Sequence, residues 1–210
     1  MARRAAHVLR AAFDVGSGAT KVTVAVVSPS DGAVVRILYS DQTELLLRHD
    51  LQETKATTGR DMLSDACVGR LLERLAFYAA EARGAGGGDD AEDSVGAVQM
   101  VGCATAVFRS AENGEEVLER VRSEIEIDVQ MVSQELEGRL GFLTAKAVGP
   151  ADVKAEELIA WDSGGGSFQI TNNSGKVGEM VGVGRCWWWS RSVHRCAWLG
   201  VWERCCSIDR

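Results

Sequence analysis

A chain of 210 residues, 46% hydrophobic, has the length for one or two small domains and enough apolar sequence for a real core. Its formal net charge of −7 argues against a nucleic-acid-binding surface, although turns and helix N-termini can still hold a phosphate through backbone dipoles. No stretch approaches the roughly 18 apolar residues of a membrane span, and Cys67 and Cys103, in apolar surroundings, read as the reduced thiols of a cytoplasmic protein.

The first ten residues are basic and free of acids, a trace of transit-peptide composition. A core strand has to begin by about Ala11, however, which leaves little removable sequence. Residues 8–40 predict a meander of strands. Val22, Val24 and Val26 alternate with Lys21, Thr23 and Ala25, a Ser28-Pro29-Ser30-Asp31-Gly32 turn follows, and an apolar run resumes over residues 34–39. Inside the meander, Asp14-Val15-Gly16-Ser17-Gly18 ends a hydrophobic run at an Asp and follows it with a Gly/Ser turn. Asp162-Ser163-Gly164-Gly165-Gly166-Ser167 does the same far downstream. Glycines let backbone N–H groups approach an anion with no Cβ in the way. An Asp at the strand end offers an oxygen ligand to a hard cation such as Mg2+. One such turn is the mark of an ordinary hairpin; two with an Asp at the same offset suggest a two-sided grip on a phosphate chain.

Between the turns the pattern becomes helix–strand alternation. Ser64 is placed to cap a helix carrying Val68, Leu71, Leu72, Leu75 and Ala79 on one face. Residues 84–90 read as an acidic glycine loop without the Lys or Ser/Thr of a nucleotide cradle. A strand is expected over residues 95–101, a helix over 112–125 and another strand over 127–132. Ser133 is placed to cap a helix over 134–148, with Leu136, Leu140, Leu143 and Ala147 on one face and Glu135 and Glu137 in the first turn, where the helix dipole favours acids. A strand over 158–162 leads into the second glycine turn. The mixture predicts an α/β protein.

Residues 185–210 break with everything before them. They hold five of the six tryptophans, four of the six cysteines and five arginines against two acids. A zinc site from His194, Cys196, Cys205 and Cys206 fits none of the paired ligand spacings. A tryptophan-rich membrane-surface segment is a second reading. The expectation is a non-homologous tail, out-of-frame or intronic in origin.

Over residues 11–184 the chain resembles the exopolyphosphatase/guanosine pentaphosphatase (Ppx/GppA) phosphohydrolases of the actin–Hsp70–sugar kinase superfamily. Five segments carry the resemblance in order. They are Asp14-Val15-Gly16-Ser17-Gly18, then Thr58-Gly59-Arg60-Asp61-Met62-Leu63-Ser64, then the stretch from Ala104-Thr105-Ala106 through Arg109 to Asn113-Gly114-Glu115-Glu116. Val132-Ser133-Gln134-Glu135-Leu136-Glu137-Gly138-Arg139-Leu140 and the second glycine turn complete the set.

The resemblance implies an actin-like ATPase (ribonuclease H-like) domain over 1–125 and the start of a second, incomplete domain of the same type over 126–184. It implies an active site in the cleft between two such domains, where phosphoanhydride bonds are hydrolysed with Mg2+. By position Glu137 is the general base for water. Gly16, Ser17, Gly18, Arg109, Gly164, Gly165, Gly166 and Ser167 would bind phosphate, and Asp14 and Asp162 the metal. The implied substrates are inorganic polyphosphate or guanosine penta- or tetraphosphate, with no nucleic-acid or membrane partner, and the resemblance leaves room for a homodimer.

The chain also departs from the family. Gly18 stands where Asn is common, and Ser167-Phe168-Gln169 where Ser-Thr-Glu is usual. The second domain stops soon after its glycine turn, whereas family members continue for roughly another hundred residues, the size of a normal domain. An incomplete domain would leave apolar surface uncovered, and little activity is expected of these 210 residues. The alternatives are an ATP-dependent sugar or acid kinase of the superfamily and a non-catalytic fragment.

Overall fold

The computed structural model of the chain describes residues 7–85, 97–148, 154, 158–163, 168–172 and 177–179. The alternating run near the N-terminus folds as three antiparallel strands, β1 (Val8–Val15), β2 (Ala19–Val27) and β3 (Val34–Glu44). Leu9, Ala11, Phe13 and Val15 of β1 and Val22, Val24 and Val26 of β2 point into one core, the period of two that strand geometry imposes. β4 (Gln99–Ala104) and β5 (Asp128–Met131) then add on the other side of β1, both parallel to it, for a sheet order β3-β2-β1-β4-β5.

Helices cover the apolar face. α1 (Leu47–Thr58) follows β3 directly. α2 (Asp65–Gly84) starts at Ser64, whose hydroxyl accepts the Cys67 N–H at 3.2 Å, and buries the expected Val68, Leu71, Leu72, Leu75 and Ala79. Such a cap stabilises a helix by about 1 kcal/mol. After β4 come α3 (Ala106–Ser110), α4 (Gly114–Arg120) and one π-helical turn, Val121–Ile125. The single helix expected over 112–125 is therefore α4 plus that turn, and α3 is an extra short helix.

The chain divides into two compact units at Val132/Ser133. The first runs past residue 125 because β5 pairs with β4, Val101 opposite Asp128 through Ala104 opposite Met131. In the second unit α5 (Gln134–Val148) begins at Ser133, whose hydroxyl accepts the Leu136 N–H at 3.2 Å. A three-stranded antiparallel sheet follows: β6 (Ile159–Ser163), β7 (Phe168–Asn172) and β8 (Val177–Glu179). The small core of this unit is Phe142, Ala145, Leu158 and Ala160. It corrects the expected apolar face of α5, because Leu136, Leu140 and Leu143 are exposed, as are Trp161 and Ile170. The acidic glycine loop beyond Ala85 and the tail 185–210 lie outside the described residues.

Candidate phosphate-binding site

Three parallel strands, β1, β4 and β5, end side by side, and ligands of open α/β sheets gather outside such carboxyl ends. The β1–β2 turn stands at this edge. Gly16 donates its N–H to the Ala19 carbonyl at 3.0 Å, and a Cβ on Gly16 would lie 2.8 Å from that same oxygen. Glycine is required here for space, and the Gly16 N–H is spent inside the hairpin. The N–H groups of Ser17 and Gly18 have no acceptor among the described residues. Their carbonyls do have donors: Gly18 accepts from Leu45 and Leu46 at 3.0 and 3.1 Å, and Ser17 from Arg48 at 2.9 Å.

Asp14, one residue before the end of β1, faces Lys21 across the β1–β2 ladder and Cys103 across the β1–β4 ladder. Its Oδ2 receives the Lys21 Nζ at 3.3 Å, and the two side chains are 43% and 42% exposed. An exposed pair of this kind contributes little to stability, and both side chains remain open to solvent. Strand alternation alone marks Lys21 as nothing more than an outward residue. The register that pairs it with Asp14, seven positions away, is the signal that brings it to the site.

The other side of the edge is built by the segment after β4. Thr105, buried, hydrogen-bonds its N–H to the Val15 carbonyl at 3.4 Å and so ties this segment to the end of β1. Arg109 on α3 is half-buried and donates from Nη1 to the Val132 carbonyl at 2.6 Å, while the Val132 N–H bonds the Ala104 carbonyl at 3.0 Å. The guanidinium is thereby anchored beside the ends of β4 and β5.

In the second unit the register of β6 and β7 repeats that of β1 and β2. Asp162 faces Gln169 and Ser163 faces Phe168, as Asp14 faces Lys21 and Val15 faces Thr20. Both hairpins thus span the same number of residues, with Gln169 at the place of Lys21. Gly164, Gly165, Gly166 and Ser167, and the side chain of Asp162, lie outside the described residues. Glu137 sits in the first turn of α5, half-exposed, its N–H bonded to the Ser133 carbonyl at 2.9 Å. No group of three or more metal-binding side chains occurs among the described residues, and no described helix is long and apolar enough to cross a membrane.

A mixed sheet of this order, with a strand-end Asp and glycine turn at its carboxyl edge, defines an actin-like α/β protein. Comparison with known proteins narrows the class. Residues 91–181 match the model of the Ppx/GppA phosphatase family. Exopolyphosphatase 1 of Mycobacterium tuberculosis is 33% identical over 97 residues, which cover 44% of this chain and 28% of that protein. The crystal structure of the Aquifex aeolicus Ppx/GppA family member superposes with a TM-score of 0.56 at 26% identity, over 82% of this chain and 50% of that one. An exopolyphosphatase from Cytophaga hutchinsonii, 19% identical, shares the fold at a TM-score of 0.58, over 80% of this chain and 48% of its own. The chain is thus similar to the Ppx/GppA phosphatases in sequence over residues 91–181 and in fold over most of its length, the resemblance its five motif segments implied. It spans about half the length of the solved relatives and 28% of the curated one.

Proposed function

We propose that the chain carries the phosphate-binding machinery of a phosphohydrolase that cleaves phosphoanhydride bonds of inorganic polyphosphate or of guanosine penta- or tetraphosphate. The observation that carries this reading is the β1–β2 turn, with the Ser17 and Gly18 N–H groups unsatisfied beside Lys21 and Asp14. Backbone donors with an adjacent cation suit a phosphate oxygen, and a nearby guanidinium, that of Arg109, matches its planar geometry. The Gly164–Ser167 turn is assigned the same role in the second unit, on the strength of the shared register.

Asp14 and Asp162 are the residues that would hold Mg2+. Asp14 suits the ion, because Mg2+ binds through one or two carboxylates, waters and substrate phosphates rather than a full protein cage, and the Asp14 carboxylate is accessible. Bound there, the ion would neutralise charge on the phosphates. Glu137 is assigned the general base, orienting a water and taking its proton. Lys21 steadies the Asp14 carboxylate and adds positive charge at the turn.

Phosphate release from polyphosphate and from guanosine pentaphosphate, measured with Mg2+ on the full chain and on Glu137→Gln, tests the proposal. Turnover is expected to be slow and to fall by about 10²–10⁴-fold without the carboxylate. Turnover unchanged in Glu137→Gln would remove Glu137 from the chemistry. Failure of both substrates to bind would remove the phosphohydrolase reading itself.

A further inference from the structure

Two non-glycine residues among those described have left-handed backbone, Leu46 at φ 49° and Glu126 at φ 66°. Glu126 ends a helical segment, where a left-handed residue is common. Leu46 is the unexplained one. It stands at the start of α1 with no capping side chain, it is a bulky residue that disfavours this conformation, and its side chain is 56% exposed.

What the left-handed turn achieves is visible in the hydrogen bonds. The N–H groups of Leu45 and Leu46 meet the Gly18 carbonyl at 3.0 and 3.1 Å as the β2–β3 ladder ends, and the left-handed turn that follows brings the N–H of Arg48 onto the Ser17 carbonyl at 2.9 Å. In a trans peptide the N–H points opposite to the C=O. With the Ser17 and Gly18 carbonyls both turned toward the start of α1, the N–H groups of Gly18 and Ala19 are turned away from it. The grip on the Ser17 carbonyl therefore orients the Gly18 N–H, one of the two open donors of the turn.

We propose that Leu46 is a positioning residue, whose left-handed backbone sets the Arg48 N–H on the Ser17 carbonyl and so keeps the Gly18 N–H of the glycine turn aimed away from α1. The identity of the anion rests on the phosphohydrolase reading. The orientation of the turn does not.

The test is a substitution series in the full chain: Leu46→Gly, Leu46→Asn, Leu46→Ala and Leu46→Val. Two readouts are needed, the amide chemical shifts of Ser17, Gly18 and Ala19 without ligand and the Kd for inorganic tripolyphosphate. Gly and Asn accept left-handed backbone, Ala does so at the cost leucine already bears, and β-branched Val resists it. The first three are expected to keep the wild-type turn shifts and to bind within about twofold of wild type. Leu46→Val is expected to disperse those shifts and to weaken tripolyphosphate by about tenfold.

A folded Leu46→Val with unchanged shifts and Kd overturns the proposal. So does equal weakening in Leu46→Gly and Leu46→Ala, which would assign the effect to the leucine side chain. If Leu46→Val does not fold, dispersed turn shifts in Leu46→Asn overturn it instead, and wild-type shifts there sustain it. Wild-type protein that ignores tripolyphosphate, with turn shifts that follow the series, would sink the phosphate reading and leave the positioning role standing.

Discussion

The carboxamide of Asn113 is clasped to the backbone of Leu63, accepting its N–H at 3.0 Å and donating to its carbonyl at 2.9 Å. Beside it the Glu112 carboxylate takes the Arg60 guanidinium, at 2.8 Å from Nη2, and the Asp61 N–H at 3.3 Å, while the Glu112 N–H bonds the Asp61 carbonyl at 2.6 Å. Two motif segments separated by about fifty residues thus form one joint. It locks the loop that precedes α2 to the loop that precedes α4. Asn113→Ala leaves both Leu63 groups without partners and is expected to destabilise the fold by about 2–3 kcal/mol. Asn113→Asp keeps the acceptor but sets a carboxylate oxygen against the Leu63 carbonyl, so it should recover little. Urea unfolding of the three proteins checks the order.

Gly114 and Gly69 make opposite predictions from the same chemistry. A Cβ at Gly114 would fall on the carbonyl of Phe108, whereas one at Gly69, within α2, meets nothing within 4 Å. Gly114→Ala should cost roughly 2–4 kcal/mol through backbone displacement. Gly69→Ala should stabilise by about 0.5–1 kcal/mol through helix propensity. Thermal midpoints moving in the same direction would refute this account of the two positions.

Thr20, opposite Val15 at the end of the first hairpin, is fully buried, and its hydroxyl has no partner among the described residues. An unpaired buried hydroxyl costs about 1–3 kcal/mol of desolvation. Thr20→Val removes it at nearly constant shape and is expected to raise stability by about 1 kcal/mol. A loss of stability would mean that a buried water or another donor satisfies the hydroxyl.

The Cys67 thiol is pushed above its ordinary pKa, first by burial in the core and then by the Asp50 carboxylate. The folded state therefore holds the thiol proton more tightly than the unfolded chain. The associated stability is full below the unfolded thiol value, about 8.5, and is lost as pH rises through the folded value. Tyr78, also raised by burial, adds a loss beginning near about 10. Unfolding free energy is expected to decline between about pH 8 and 10 and to decline less in Cys67→Ala. Parallel slopes for the two proteins would exclude the thiol as the source.

Local sequence rules were sufficient where they agree with tertiary packing. The alternation of β1 and β2, the Ser64 cap with its apolar stripe and the span of α5 all follow from periodicity and capping. Those rules miss α1 because that helix has no capping side chain; it starts from a leucine in a conformation leucines avoid. They select the wrong face of α5 because an apolar stripe does not state which of two faces meets the sheet; Phe142 and Ala145 do. At the candidate site the glycine turn was legible, but its working parts were not. Gly16 spends its N–H inside the hairpin, and Lys21 enters only through register.

The glycine turn and everything that holds its carbonyls belong to one uninterrupted stretch, β1 through α1, whose contacts are close in sequence. Thr105 and Arg109 reach the same edge only after β4 and β5 have found their parallel places beside β1, a slow, non-local step. As the chain leaves the ribosome, the turn is therefore expected to take shape first, on a hairpin still lacking its later neighbours. Pulse-labelled hydrogen exchange should find β1 and β2 amides protected before those of β4. Half of the candidate site would then have a shape before the other half has an address.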